Sequence, residues 1–393
     1  MHFSPGFSSI PGNKAIHEQI SRQFSQNRVS HAQLFWGPQG CGNLSAALAY
    51  ARLIHCENPK QHDACGECHA CIMHQKISHP DLHLVFPVPN VKVSAESGDQ
   101  EKDQKDATSD HFVKEWKNAV MHNPFLDLED WSTAIEFEKK TIQISARESE
   151  LIAKKLYLTP YEAKTKIMVV WYAEEMNVSS ANKLLKIFEE PPPDTVILLV
   201  CENRDKLLPT ILSRVQQLRF SPPDFSSLED FIQSFWPHEK EAAKIARLSQ
   251  GSLNQILRLM SGGVRDAAGS KRIMEWLRLC YKPEPISIGK LTEDLNSAGR
   301  QAQKTFFSQT LVFLRAAIMI KNNLQNLVHL QEEDLNFCTN FSKTIQLSSA
   351  EKMIVVIQNG FSSIEGNGNL KLILLDTTYQ MNKCFRLMEK SAA

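Results

Sequence analysis

The sequence predicts an α/β domain built on a parallel sheet, followed by an all-helical half. Three observations carry that reading. A short apolar run, a glycine-rich loop and a helix-forming stretch follow one another over residues 31–53. Two further apolar runs, Lys166–Trp171 and Thr195–Cys201, flank a helical segment, and beyond Ser221-Pro222-Pro223 strand-like runs disappear. Near-continuous apolar strands are those buried on both faces, and strands alternating with helices pair in parallel beneath helical layers. With 393 residues the chain exceeds one ordinary core, so two or three domains are expected.

In chain order, Asn13–Phe24 places Ile16, Ile20 and Phe24 at four-residue spacing, an amphipathic helix. His31–Trp36 reads as a buried strand, residues 37–44 as a glycine loop and Ser45–Leu53 as the helix after it. A cysteine cluster follows, then an apolar stretch at Leu82–Pro87. Val93–Asp110 is rich in Ser, Asp, Glu, Lys and Gln and predicts a mobile surface insertion. After the Lys166–Trp171 strand, Ser179 or Ser180 is expected to cap a helix through Ala181–Glu190, which Pro191-Pro192-Pro193 stops. Phe225–Met260 reads as short helices, and Ser261-Gly262-Gly263 marks a second boundary. Residues 265–393 hold long helical stretches such as Thr305–Lys321 and Leu370–Met388.

Hydrophobic residues make up 42% and charged residues 22%, a globular balance. Lys+Arg and Asp+Glu stand at 44 each, so overall charge draws the chain neither to nucleic acid nor to a membrane. No apolar run approaches the roughly 18–20 residues that span a bilayer. Met1-His2-Phe3-Ser4-Pro5-Gly6 lacks the layout of a signal peptide, and the expected compartment is the cytoplasm.

The loop Gly37-Pro38-Gln39-Gly40-Cys41-Gly42-Asn43-Leu44 fits the phosphate-loop template G-x-x-x-x-G-K-[ST] only in its glycines, Gly37, Gly40 and Gly42. In a working loop the Lys reaches the β- and γ-phosphates and the Ser/Thr hydroxyl holds Mg²⁺. Asn43 brings no charge and Leu44 no oxygen, so the backbone shape can survive where the chemistry cannot. Productive ATP binding is not expected.

The nine cysteines form two groups. Cys41, Cys201, Cys280, Cys338 and Cys384 are scattered and read as reduced core residues. Cys56, Cys65, Cys68 and Cys71 fall within sixteen residues, with pairs spaced for the small turns that wrap tetrahedral zinc. Gly66 suits such a turn. Four thiolates leave no open coordination position, so the metal would be structural. Disulfide or redox chemistry is the competing reading. His55, His62, His69 and His74 lie close enough to exchange as ligands, although four thiols make them unnecessary.

The glycine loop, the cysteine module after its helix, the run Asn182-Lys183-Leu184-Leu185-Lys186-Ile187-Phe188-Glu189-Glu190-Pro191-Pro192 and Leu212-Ser213-Arg214 together resemble bacterial DNA polymerase III clamp-loader subunits. The resemblance runs by motif over residues 8–260, and over 265–393 by helical character and order. It implies an AAA+ (P-loop NTPase-like) domain over 1–220, with a zinc module at 55–75 and a polar insertion at 93–111. A helical lid at 221–264 and a helical collar at 265–393 for oligomerisation would follow. Implied partners are the gamma/tau and delta subunits and, through the complex, the sliding clamp and primer–template DNA, with no membrane.

The family contains an ATP-hydrolysing member, gamma/tau, and a non-hydrolysing one. The active member ends the strand before the Asn-x-Leu-Leu-Lys helix in Asp-Glu, where this chain has Trp171 and Tyr172. Neither binds Mg²⁺ or takes a proton from water. Glu174 and Glu175 would serve only in a shifted register. The family's sensor arginine is replaced by Asn254 in Gln250-Gly251-Ser252-Leu253-Asn254. These losses imply the non-hydrolysing member.

One catalytic part remains by resemblance. Ser213-Arg214-Val215 matches the family's Ser-Arg-Cys, with Val215 the departure. Arg214 is then an arginine finger for a neighbour's ATP, with Ser213 supporting the motif. Without the resemblance Arg214 reads as a surface arginine or an ion-pair partner. His79-Pro80-Asp81 reads as a structural turn, and Phe35-Trp36 and Trp171-Tyr172 as core rather than nucleobase platforms. Two rival readings stay open: an ATP-hydrolysing gamma/tau-like subunit, and a zinc-stabilised DNA-binding module with a vestigial loop. Balanced charge and the lack of a basic helix near the cysteines stand against the second.

Overall fold

The computed structural model describes residues 6–60, 63–94, 104–137, 142–260, 267–366 and 368–391. The chain divides into two compact units, Met1–Phe137 with Thr141–Leu257, and a second that includes Arg258–Ala393.

The first unit is built on five strands: β1 (Ala32–Trp36), β2 (Leu82–Val85), β3 (Lys166–Trp171), β4 (Thr195–Cys201) and β5 (Gln216–Arg219). Every pairing is parallel, and the order is β2-β3-β4-β1-β5. All residues of β3 and β4 are buried, which is why both runs are apolar almost throughout. Alternate residues serve opposite faces. Phe35, Val169, Leu198 and Val200 join one core and Leu34, Met168, Ile197 and Leu199 the other.

The helices of this unit are α1 (Lys14–Ser25), α2 (Asn43–His55), α3 (His69–Gln75), α4 (Val113–His122), α5 (Leu128–Ala134), α6 (Ala146–Tyr157), α7 (Val178–Glu189) and α8 (Pro209–Leu212). Three short ones follow: α9 (Phe225–Phe235), α10 (Ala242–Leu248) and α11 (Leu253–Met260). Helix α7 begins earlier than expected. Its cap is Asn177, whose side chain accepts the Ser180 N–H at 2.7 Å, and not Ser179 or Ser180. Those serines occupy the first turn, where Asn177 already satisfies a free amide.

The polar insertion is also more ordered at its ends than its composition predicts. Lys92–Ser94 pairs antiparallel with Gln104–Asp106, and Ala107, Thr108 and Ser109 are buried; residues 95–103 lie outside the described part. Ser109 is held by Glu148, which accepts its N–H at 2.7 Å and its hydroxyl at 2.6 Å. A segment can thus be polar and internal when its groups are paired.

The second unit is helical: α12 (Ala267–Tyr281), α13 (Pro285–Ser297), α14 (Arg300–Lys321), α15 (Glu332–Thr344), α16 (Leu347–Glu365) and α17 (Leu370–Ser391). Trp276, Phe307, Leu314, Met353, Ile357 and Met381 are buried in its own core. Among the described residues no helix is long and apolar enough to cross a membrane.

Candidate functional site

The glycine loop sits at the carboxyl end of β1, where an open parallel sheet places its ligand crevice. Gly40 and Gly42 adopt positive φ values of 75° and 87°, and Gly42 caps α2. The turn of a phosphate loop is therefore present. Its donors are directed inward. Asn43 Nδ2 donates to the Cys201 carbonyl at 3.0 Å, and Asn43 Oδ1 accepts the Leu44 N–H at 2.9 Å. That amide belongs to the helix N-terminus that would otherwise face an anion. Leu44 is buried.

The space above the loop is filled from α11 and the N-terminal segment. Leu253 N–H donates to the Gly40 carbonyl at 2.9 Å, and a methyl group at Gly40 would lie 2.1 Å from Ser252 Oγ. Ile10, Leu253 and Phe125 close around Gly42. Asn254, at the sensor position, donates to Asp127 Oδ2 (2.8 Å) and Asp130 Oδ2 (2.9 Å) and accepts from Asn123 Nδ2 (2.7 Å). Asn13 and Ser221 bond reciprocally, at 2.9 and 2.8 Å. What remains beside Asn43, Leu44 and Tyr172 is a cavity of about 10 Å³, roughly the least that admits one water. Among the described residues lining it none is Lys or Arg.

Trp171 ends β3 and Tyr172 follows it, the pair that the resemblance aligns with Asp-Glu. Both are buried, their rings 4.8 Å apart, and Trp171 packs on Trp116. Phe35 is also core, whereas Trp36 is partly exposed with Arg204 and Arg219 over its ring. The Tyr172 hydroxyl donates to Glu202. Glu174 Oε1 accepts the N–H groups of Glu202 (2.7 Å) and Asn203 (3.0 Å), so it is turned toward backbone. Glu202 escaped the sequence reading, although its place directly after β4, at the loop's end of the sheet, is the available signal.

Burial pushes the Glu202 carboxyl up to about 8 and the Glu174 carboxyl up to about 7. The folded protein keeps these protons near neutrality, whereas glutamates of the unfolded chain ionise near pH 4.3. Their stabilisation is complete below that pH and is lost as pH rises through about 7 to 8. Burial holds His17 and His55 down at about 4, which acts with the opposite sign but only below about pH 6.5. The contribution of these two carboxyls falls as pH rises toward about 8, so Glu202→Gln is expected to have a less negative stability slope than the wild type between about pH 6.5 and 8.5. The variant should be more stable at about pH 8.5 by on the order of 1 kcal/mol or more. Urea unfolding across that window checks this, and an unchanged slope in the variant contradicts it.

The second site is the cysteine cluster. Cys56 caps α2, Cys65 and Cys68 flank Gly66, whose φ is +82°, and Cys71 lies in α3. The four Sγ atoms lie within 4.8 Å of one another, and Cys65 and Cys71 are 3.8 Å apart. A tetrahedral zinc with bonds of about 2.3 Å has sulfur–sulfur edges of about 3.8 Å, so the donor set fits the metal. Backbone N–H bonds from Glu67 and Cys68 pull the Cys65 thiol down to about 6, favouring its thiolate.

The neighbouring histidines have other partners. His69 pairs with Glu162 at 2.8 Å, and His62 lies outside the described residues. His55 Nε2 donates to the Thr165 carbonyl (2.7 Å) and its Nδ1 accepts from His74 Nε2 (2.9 Å). His79 joins them with ring centroids 4.3 and 5.0 Å away. The Asp81 N–H occupies His79 Nδ1 at 3.2 Å, leaving the proton on its other nitrogen, so the trio does not offer a metal three lone pairs. Asp81 itself accepts the N–H groups of Tyr161, Glu162 and Ala163.

Arg214 and Ser213 lie apart from both sites, between α8 and β5. The register Gln33↔Gln216 sets Arg214 level with His31, at the amino end of the sheet. Gly37 lies six residues further along, so roughly 20 Å of strand separates Arg214 from the chain's own loop. The guanidinium pairs with Glu189, Nε to Oε1 at 2.7 Å, and Nη1 donates to Thr210 O (2.8 Å) and Ser213 Oγ (3.2 Å). It is one-third exposed.

Fold and site together define a parallel-sheet α/β domain whose glycine loop, at the carboxyl end of β1, is packed with the chain's own side chains. A family model described as "DNA polymerase III, delta subunit" matches residues 12–224, more than half of the chain. DNA polymerase III subunit delta' of Pseudomonas aeruginosa is 30% identical over 289 residues, covering 73% of this chain and 71% of the relative. The delta' subunit of Bacillus subtilis is 29% identical over 239 residues, 60% of this chain and 55% of its own length. The tau subunit of the same organism is 24% identical over 261 residues, 66% of this chain and 36% of the relative. The chain belongs to the family of DNA polymerase III delta' clamp-loader subunits.

Proposed function

We propose that this chain is the non-hydrolysing member of its clamp loader and completes the ATP site of a neighbouring subunit. The observation that carries the proposal is the loop itself, a phosphate-binding turn with Asn43 and Leu44 tied inward and about 10 Å³ of space left. An ATP tetra-anion needs cationic partners, and this cavity is edged by Glu202 with Tyr172 above it. The bond from Leu253 to Gly40 holds α11 against the loop and Asn254 ties it to Asp127 and Asp130, which supports a rigid subunit rather than one that opens and closes with nucleotide.

In this reading Arg214 is the arginine finger, with Ser213 as its support. Its position at the far end of the sheet from its own loop, one-third exposed and held by an exchangeable ion pair, favours service to another chain. Exposed pairs of this kind are worth about 0–1 kcal/mol, so Glu189 can release the guanidinium to a phosphate. Cys56, Cys65, Cys68 and Cys71 hold structural zinc, α9–α11 act as the lid and the helices beyond residue 265 as the oligomerising collar. The partners are gamma/tau and delta subunits, with the sliding clamp and primed DNA reached through the assembled complex in the cytoplasm.

Co-expression tests the assembly. The chain is expected to co-purify with gamma/tau and delta in one complex and to raise clamp-loading activity. A chain that stays apart from both subunits, yet binds DNA alone with a steep salt dependence, would favour the zinc-stabilised DNA-binding module.

A further inference from the structure

Helix α2 joins the two sites, with Asn43 at its first position and Cys56 as its C-terminal cap. One turn before Cys56 lies Arg52, only 4% exposed. Its Nη2 crowds Gly66, where an added methyl would lie 2.9 Å away, and the guanidinium faces the Cys71 thiol, whose charged form it favours. Backbone N–H groups serve the other sulfurs: Cys65 N to Cys56 (3.2 Å), Glu67 N and Cys68 N to Cys65 (3.4 and 3.3 Å), and Cys71 N to Cys68 (3.5 Å). Cys71, fully buried, faces the guanidinium as well as the Gly66 amide.

Zinc bound by four thiolates carries a formal charge of −2. Here that charge would sit at the carboxyl end of α2, where the helix dipole is also negative. Water offsets little of it on the Cys71 side. Lys60, another cation near these sulfurs, is exposed and bonded to Glu67 at 3.0 Å. We propose that Arg52 is the buried cation that neutralises the zinc–thiolate centre and sets how tightly the module holds its metal. This rests on the zinc reading above. A neutral Cys71 thiol makes only a weak acceptor for Arg52; a zinc-bound thiolate makes the same contact charge-assisted. Contacts to ligating atoms of this kind commonly change metal affinity 10–100-fold when removed.

The test uses the full-length purified chain as wild type, Arg52→Met, Arg52→Gln and Arg52→Lys. Metal analysis gives zinc per chain, competition with a chromophoric chelator gives relative affinity, and thermal unfolding is recorded with zinc and after chelation. The expected result is about 10–100-fold weaker retention in Arg52→Met and Arg52→Gln, with substantial recovery in Arg52→Lys. Both neutral variants should lose more melting temperature in the zinc form than in the chelated form. Cobalt substitution should still show thiolate charge-transfer bands in Arg52→Met, because the four sulfurs remain. Wild-type affinity in Arg52→Gln, or equal losses of melting temperature with and without zinc, would overturn the role of Arg52. A zinc-free wild type would instead refute the zinc reading and remove the ground for this one.

Discussion

Replacing Arg214 by Ala is expected to lower ATP hydrolysis at the adjoining site of the reconstituted loader by about 10³-fold or more, the typical effect of an arginine finger. The chain itself should fold normally. Arg214 is one-third exposed and its partners Glu189, Thr210 and Ser213 all lie at the surface, so the lost pair costs about 0–1 kcal/mol. Glu189→Gln should leave hydrolysis nearly unchanged, because it frees the guanidinium without removing it. Since one loader holds several ATP sites, the assay must read the adjoining site by itself, with the other catalytic subunits made inactive. Hydrolysis at that site unaltered by Arg214→Ala would mean that the pair with Glu189 is the whole role of the arginine.

The second large effect is expected at the cysteines. Cys65→Ser with Cys68→Ser removes two of four zinc ligands and the sulfurs that accept three backbone N–H bonds. Structural zinc sites contribute folding energy directly. Helix α3 and the segment from Cys56 to Cys68 place few large apolar residues in the core, so little else holds them. We expect loss of bound zinc and destabilisation on the order of 3 kcal/mol or more, together with faster proteolysis between residues 56 and 75. Wild-type protein that is metal-free and equally stable would contradict the assignment.

Much of this was legible in the residues. Strands β3 and β4 are apolar because both faces are covered, and that requirement acts locally on the sequence. The glycines at 40 and 42 mark positive φ, and the cysteine spacing marks the four-sulfur cluster. What fills the loop was not legible. Ile10, Phe125, Ser252 and Leu253 converge on it from three distant segments, and no periodicity records such a meeting. The buried side of the polar insertion was hidden likewise, because Ser109 and Glu148 read as surface residues until their mutual bonds are seen. The start of α7 was misplaced by two or three residues, because the Asn177 side chain, and neither serine, takes the free amide of the first turn.

The rival of a hydrolysing subunit turns on Glu174, a carboxylate that a shifted register would offer to a metal. Its Oε1 is bonded to the amides of Glu202 and Asn203, and burial keeps its carboxyl protonated up to about pH 7. With both amides on Oε1, this carboxyl is committed to backbone rather than offered to Mg²⁺ or water.

The most direct measurement is ATP–Mg²⁺ binding and turnover by the isolated, zinc-loaded chain, by titration calorimetry and phosphate release on the same preparation. With the loop occupied by its own side chains, no saturable binding below about 1 mM, the weak end of the affinity scale, and no turnover above background are expected. Micromolar binding with turnover that Asn43→Ala or Glu174→Gln abolishes would contradict the account and place the chain among the hydrolysing subunits.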